Sequence, residues 1–128
     1  MEILSSRVLL HPVDHQATLA FYRDMLGLGI AREFGNDDHP GTVFFLGTGL
    51  LEVSGSRPAG EPSSLILWLQ VRDVHAELER LADFGVTATR EARTEPWGLI
   101  EGWIEDPDGT RIVLVQVPAD HPLRRDLR

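Results

Sequence analysis

The chain has 128 residues, no cysteine, 42% hydrophobic and 25% charged residues. That length suits a single domain with its own core, and the composition excludes a disordered chain, a collagen and a coiled coil. Without cysteine there are no disulfides, thiolate nucleophiles, iron–sulfur clusters or cysteine zinc sites, and 12 basic against 20 acidic residues give a net charge of −8, which repels phosphate backbones and argues against a nucleic-acid partner.

The N-terminus, MEILSSRVLLHPVD, has no basic n-region and no long apolar h-region, so it does not read as a signal peptide. No stretch approaches the roughly 18 apolar residues of a membrane span, so no membrane partner and a cytoplasmic location are expected. The first strand is predicted over residues 7–13. Asp14 then reads as an N-cap, with Leu19, Tyr22 and Leu26 at helical spacing and Gly27 and Gly29 as the stop. Strands are predicted over 30–34, 42–46 and 50–54. Residues 35–41 form a loop, and Gly47-Thr48-Gly49 is a hairpin turn. Residues 54–64, rich in Gly, Pro and Ser, are the one linker-like stretch.

The order then repeats. A strand over 65–71 is followed by Asp73 as N-cap, a helix marked by Val74, Leu78 and Leu81, and Gly85 as its end. Strands are predicted over 86–90, 99–105 and 110–117, with Asp106-Pro107-Asp108-Gly109 as the last turn. The tail, with two prolines and mixed charge, reads as a loosely attached arm. Val13 and Val71 are 58 residues apart, Asp14 and Asp73 are 59 apart, and Gly27 and Gly85 return to 58. Two copies of one supersecondary unit predict an α+β fold of two βαβββ modules, with a curved mixed sheet, helices on its outer face and a concave cavity. The boundaries are a single domain over 1–128, module one 5–55, linker 56–63, module two 64–117 and a C-terminal arm 118–128.

Ala20-Phe21-Tyr22-Arg23-Asp24-Met25-Leu26-Gly27-Leu28 resembles the helix signature of the vicinal oxygen chelate superfamily, which includes glyoxalase I, extradiol dioxygenases, fosfomycin resistance enzymes and bleomycin resistance proteins. Glu105-Asp106-Pro107-Asp108-Gly109 resembles its turn before the last strand, and Val71 with Asp73 resembles the start of its second module. The likeness runs from about Arg7 to Val117. These motifs set backbone geometry, and the superfamily hosts lyases, oxygenases, transferases and pure binders, so activity rests on the site.

In the metal-dependent members of that superfamily, four positions on the first and fourth strands of the modules supply the ligands. By the resemblance they fall at Arg7, Glu52, Ile66 and Val113. Glu52 alone carries a donor for a divalent ion; a guanidinium is a fixed cation, and Ile66 and Val113 are hydrocarbon. A one-residue slip at the last two gives Leu65 or Leu67, and Ile112 or Leu114, which restores no ligand. No metal and no cofactor are expected. Arg7 is expected to replace the missing ion as the counter-charge of Glu52.

Strand alternation turns Ile66, Trp68 and Gln70 toward the cavity and Leu65, Leu67 and Leu69 toward the helices. Arg7 and His11 share a face on the first strand, Val113 goes with Arg111 and Val115, and Glu101, Trp103 and Glu105 share a face on the seventh. Phe44 and Leu46 are expected on the opposite wall. Trp68, Trp97 and Trp103 are candidate platforms for a planar ligand, weighed against plain core packing. Glu101 and Glu105 are a candidate cation-attracting rim, weighed against two solvated carboxylates. His15, His39, His75 and His121 read as surface residues, and His11 as a packing or hydrogen-bonding residue with a lesser claim to function. The candidate ligand-binding set is therefore Arg7, His11, Phe44, Glu52, Trp68, Gln70, Trp97, Glu101 and Trp103, with no catalytic residue.

The leading expectation is a metal-free small-molecule binding protein, similar to the bleomycin resistance branch, for a ligand that is an aromatic or cationic antibiotic. The resemblance also implies a homodimer. The alternative is a lyase, isomerase or dioxygenase with a metal on non-standard ligands, such as His11, Glu52 and Glu101 or Glu105. A third reading is a scaffold whose cavity is filled by its own side chains.

Overall fold

A computed structural model describes residues 1–123. The chain divides into two compact units, Met1–Ser63 and a second beginning at Ser64. Each unit carries one four-stranded mixed sheet, the α+β architecture expected.

Unit one contains β1 (Val8–Leu10), α1 (His15–Ala20), β2 (Ile30–Gly35), β3 (Pro40–Leu46) and β4 (Gly49–Ser54). The sheet order is β1-β4-β3-β2. β1 pairs with β4 in parallel, and the other neighbours are antiparallel. Asp14 caps α1 as expected: its extended backbone stops the helix, and its carboxylate accepts the Ala17 N–H at 3.1 Å. The helix runs on into a π-helical turn, Phe21–Met25, in which the Leu26 N–H donates to the Phe21 carbonyl at 2.9 Å. That turn delivers Phe21 and Tyr22 to the core. Their rings meet edge to face at 5.1 Å, and Tyr22 reaches Phe44 at 6.4 Å. Tyr22, Phe44, Leu51 and Val53 are fully buried, each contributing roughly 1.5–3 kcal/mol of transfer free energy.

Unit two contains β5 (Ile66–Gln70), α2 (Val74–Ala82), β6 (Arg90–Thr94), β7 (Ile100–Glu105) and β8 (Arg111–Gln116). Its sheet order, β5-β8-β7-β6, repeats the pattern of unit one, with β5 parallel to β8. Asp73 caps α2 by accepting the Ala76 N–H at 3.0 Å, and the Gln116 side chain accepts the Val74 N–H at 3.1 Å. α2 lies close on the sheet at Gly102. A Cβ there would stand 2.8 Å from Leu78 and 3.1 Å from Val74, so the contact needs glycine. Asp106 organises the last turn. One carboxylate oxygen accepts the Asp108 and Thr110 N–H groups, both at 2.9 Å.

Three boundaries differ from expectation. β1 is shorter than 7–13 because the parallel ladder ends at Leu10 and Val53. The loop predicted over 35–41 shrinks, because Gly35 pairs with Pro40 and Asn36 closes the turn by accepting the Asp38 and His39 N–H groups at 3.0 Å. The strand predicted over 86–90 lies instead at Arg90–Thr94. Val86 is held back on the helix, its N–H donating to Leu81 at 3.1 Å. The more polar segment then forms the edge strand, where charge discourages edge pairing.

The tail is not loose where the structure describes it. His121 Nε2 donates to the Trp97 carbonyl at 3.0 Å, and the Leu123 N–H donates to His121 Nδ1 at 3.2 Å. His121 is accordingly half-buried, not a surface residue. The rest of the predicted arm, 124–128, lies outside the described residues. Among those residues no helix is long and apolar enough to cross a membrane.

Candidate functional site

Each sheet has one face under its helix and one turned away, and the expected site residues sort between them. In unit one the register sets Leu9 beside Glu52 and Val43 opposite it. The face turned away from α1 therefore carries Arg7, Leu9, His11, Phe45, Glu52 and Ser54. Arg7 and Glu52 form the expected ion pair, with Arg7 Nη1 donating to Glu52 Oε1 at 2.9 Å. The Ser54 hydroxyl donates to Oε2 at 2.7 Å, so both carboxylate oxygens are engaged. The Ser54 hydrogen bond, followed by that of Arg7, holds the Glu52 carboxyl below its usual range against the opposing effect of burial. His11 is spent on structure: Nδ1 donates to the Ser54 carbonyl at 2.7 Å, and its ring lies against Gly55, whose φ of +63° suits glycine.

Phe44 does not line this face. It pairs with Leu51 on the helix side and is buried against Tyr22. Leu46 shares its parity. The run Thr-Val-Phe-Phe-Leu is apolar at nearly every position, so alternation alone does not say which phenylalanine faces out. The register against Glu52 shows that it is Phe45, which is exposed.

In unit two Leu67 is buried, and Ile66, Trp68 and Gln70 are exposed, as alternation predicted. Trp68 is 50% exposed and stands opposite Val113. Leu99, Val113, Val115 and Val117 form a buried apolar floor with Trp103 packed on it. Two cations flank Trp103. The Arg90 guanidinium on β6 lies 4.3 Å from the ring centre and that of Arg111 on β8 lies 4.4 Å from it.

The Glu101 carboxylate is not an exposed rim. It is buried and accepts the Trp97 Nε1–H at 2.8 Å, so the exposed Trp97 ring is tied down by its indole nitrogen. Glu105 is exposed. Glu95 is also buried, paired with Arg90 and with Arg93 at 3.3 Å. Desolvation is the main reason that Arg90 titrates below its ordinary value, and it stays charged throughout the physiological range. Arg90, Arg111, Glu95 and Phe45 were not among the predicted site residues. The parity of Arg111 with Val113 was the one available signal among them.

The donor chemistry does not fit a divalent metal at the four positions the family resemblance singles out. Ile66 and Val113 offer no donor atoms, Arg7 is a cation, and both oxygens of Glu52 are already engaged. Among the described residues no group of three or more His, Cys, Asp or Glu could hold a metal ion.

The family model of the Glyoxalase/Bleomycin resistance protein/Dioxygenase superfamily matches residues 6–114. No curated protein matches the sequence. Among solved structures, SMU.1112c is similar with a TM-score of 0.77 and 23% identity, over 91% of this chain and 99% of that one. TnmS3, an antibiotic binding protein from Streptomyces sp. CB03234, gives 0.76 and 22% over 91% and 98%. A member of the same superfamily from Sphaerobacter thermophilus DSM 20745 gives 0.71 and 21% over 90% and 98%. At these identities the likeness is one of fold.

Proposed function

The chain belongs to the glyoxalase/bleomycin resistance protein/dioxygenase superfamily, and from that premise we propose that it binds a planar small molecule of the antibiotic class without a metal and without transforming it. The observation that carries this reading is Trp68, a large ring left half exposed on the sheet face turned away from α2. Exposing such a ring forgoes the transfer free energy that burial returns, and a planar ligand stacked on it recovers that energy. The apolar floor of Val113 beside it, with Trp103 next along the sheet, extends the platform. Antibiotic binding by a neighbour of the same fold supports the ligand class. The same reading takes the protein as a cytoplasmic homodimer, which light scattering tests against the 14.3 kDa of one chain.

Titration calorimetry against a panel of planar aromatic antibiotics, followed in parallel by tryptophan fluorescence, tests the proposal. The expected result is saturable binding by at least one member, weakened about tenfold by Trp68→Ala, on the scale of one lost aromatic contact. Binding by none of the panel overturns it. A stoichiometric divalent metal in the purified protein overturns its metal-free part.

A further inference from the structure

On the open face of unit two, hydrogen-bond donors outnumber the acceptors left for them. The Trp103 Nε1–H is buried with no acceptor, and so is Arg90 Nε. Two of the nearby carboxylates are committed. Glu95 is shared between Arg90 and Arg93, and Glu101 takes the Trp97 indole hydrogen. Glu105 stands opposite Arg111 in the ladder, but the Arg111 guanidinium lies over the Trp103 ring instead of pairing with it. A buried donor without a partner is costly, and a guanidinium with no carboxylate keeps its full capacity for a bidentate acceptor. Arg111 is exposed, so its side chain can turn from the ring toward a bound molecule.

We infer that this face selects planar ligands bearing an anionic oxygen, a carboxylate or phenolate, received by Arg111 and by the unpartnered Trp103 indole hydrogen. The inference rests on the reading above that a planar ligand binds this face, and it names the chemistry of that ligand. It also reverses the cationic preference expected from the Glu101 and Glu105 rim and from the family resemblance. The −8 of the whole chain does not describe a patch where Arg90 and Arg111 surround one indole.

The test uses three probes with one ring system: 2-naphthoate, 2-naphthamide and 2-naphthylmethylammonium, titrated into the full chain. Naphthoate is expected to bind about tenfold tighter than the amide, the size of one charge-assisted hydrogen bond, with the ammonium weakest. Arg111→Gln is expected to erase the naphthoate advantage by weakening naphthoate several times more than the amide. Trp103→Phe, which keeps a ring and removes the N–H, is expected to reduce the advantage severalfold. Equal binding of the three probes, or preference for the ammonium, overturns the anion inference while the stacking reading stands. Equal loss of naphthoate and amide in Arg111→Gln also overturns it, since the side chain would then act through the fold. Binding of no probe removes the stacking reading, and the inference falls with it.

Discussion

Both units answer one βαβββ order with the same devices: an aspartate N-cap, a glycine stop and a parallel pair joining the first and last strands. The faces turned away from their helices are finished differently. In unit one the charges answer each other, with Arg7, Glu52 and Ser54 closed into one network. In unit two Arg90 and Arg111 surround an aromatic ring, Glu95 is buried against Arg90, Glu101 is buried on the Trp97 indole, and Glu105 is exposed without pairing to Arg111. A repeated backbone thus does not repeat its chemistry. The helix-facing positions stay apolar in both units apart from Thr42 and Gln116, and the other face is free to diverge.

Four comparisons break or sharpen this contrast, all read from urea unfolding. Phe44→Ala should destabilise by about 3–5 kcal/mol, because it empties the contact beneath Tyr22. The loss of an exposed ring such as Phe45 by the same substitution should cost far less. Asp106→Ala should cost about 1–3 kcal/mol by stranding the N–H groups of Asp108 and Thr110. The corresponding hairpin of unit one turns through exposed Thr48, and Thr48→Ala should be close to neutral.

Asp14→Ala and Asp73→Ala should each cost about 1 kcal/mol, matching each other because the two caps are alike. Glu52→Gln should show a small effect at neutral pH, about 0.5 kcal/mol, since Arg7 is partly exposed and screened. Its pH dependence is the sharper readout. The folded carboxyl titrates below its ordinary 4.5, so its contribution is complete above that value and fades as pH falls through the lower folded value. The gap between wild type and Glu52→Gln should therefore close on acidification. A gap that widens contradicts the ion-pair network.

Sequence reasoning reached the element order, both helix caps and the last turn because each depends on local chemistry, and it reached the Arg7–Glu52 pair through the ligand positions that the family resemblance implies. It failed where more than one element decides. Phe44 and Phe45 are neighbours in an apolar run, and only the pairing with β4 separates them. The strand over 86–90 looked apolar enough, but Val86 was already held on the end of α2. The environment of Trp103 depends on β6 and β8 together, and only the register between β6 and β7 brings Arg90 beside it.

The repeat spacing carried one further message. From aspartate cap to glycine stop, unit one takes one residue more than unit two, which is why the spacing falls from 59 back to 58. The π-helical turn at Phe21–Met25 accommodates the surplus. An extra residue threaded through a regular helix would rotate everything downstream by about 100° and swing the exit away from the sheet. Widening a single turn confines the disturbance. Deleting one residue there should restore a regular α-helix and leave the strand that follows in place, so this short segment works as a length adjuster between two otherwise matching halves.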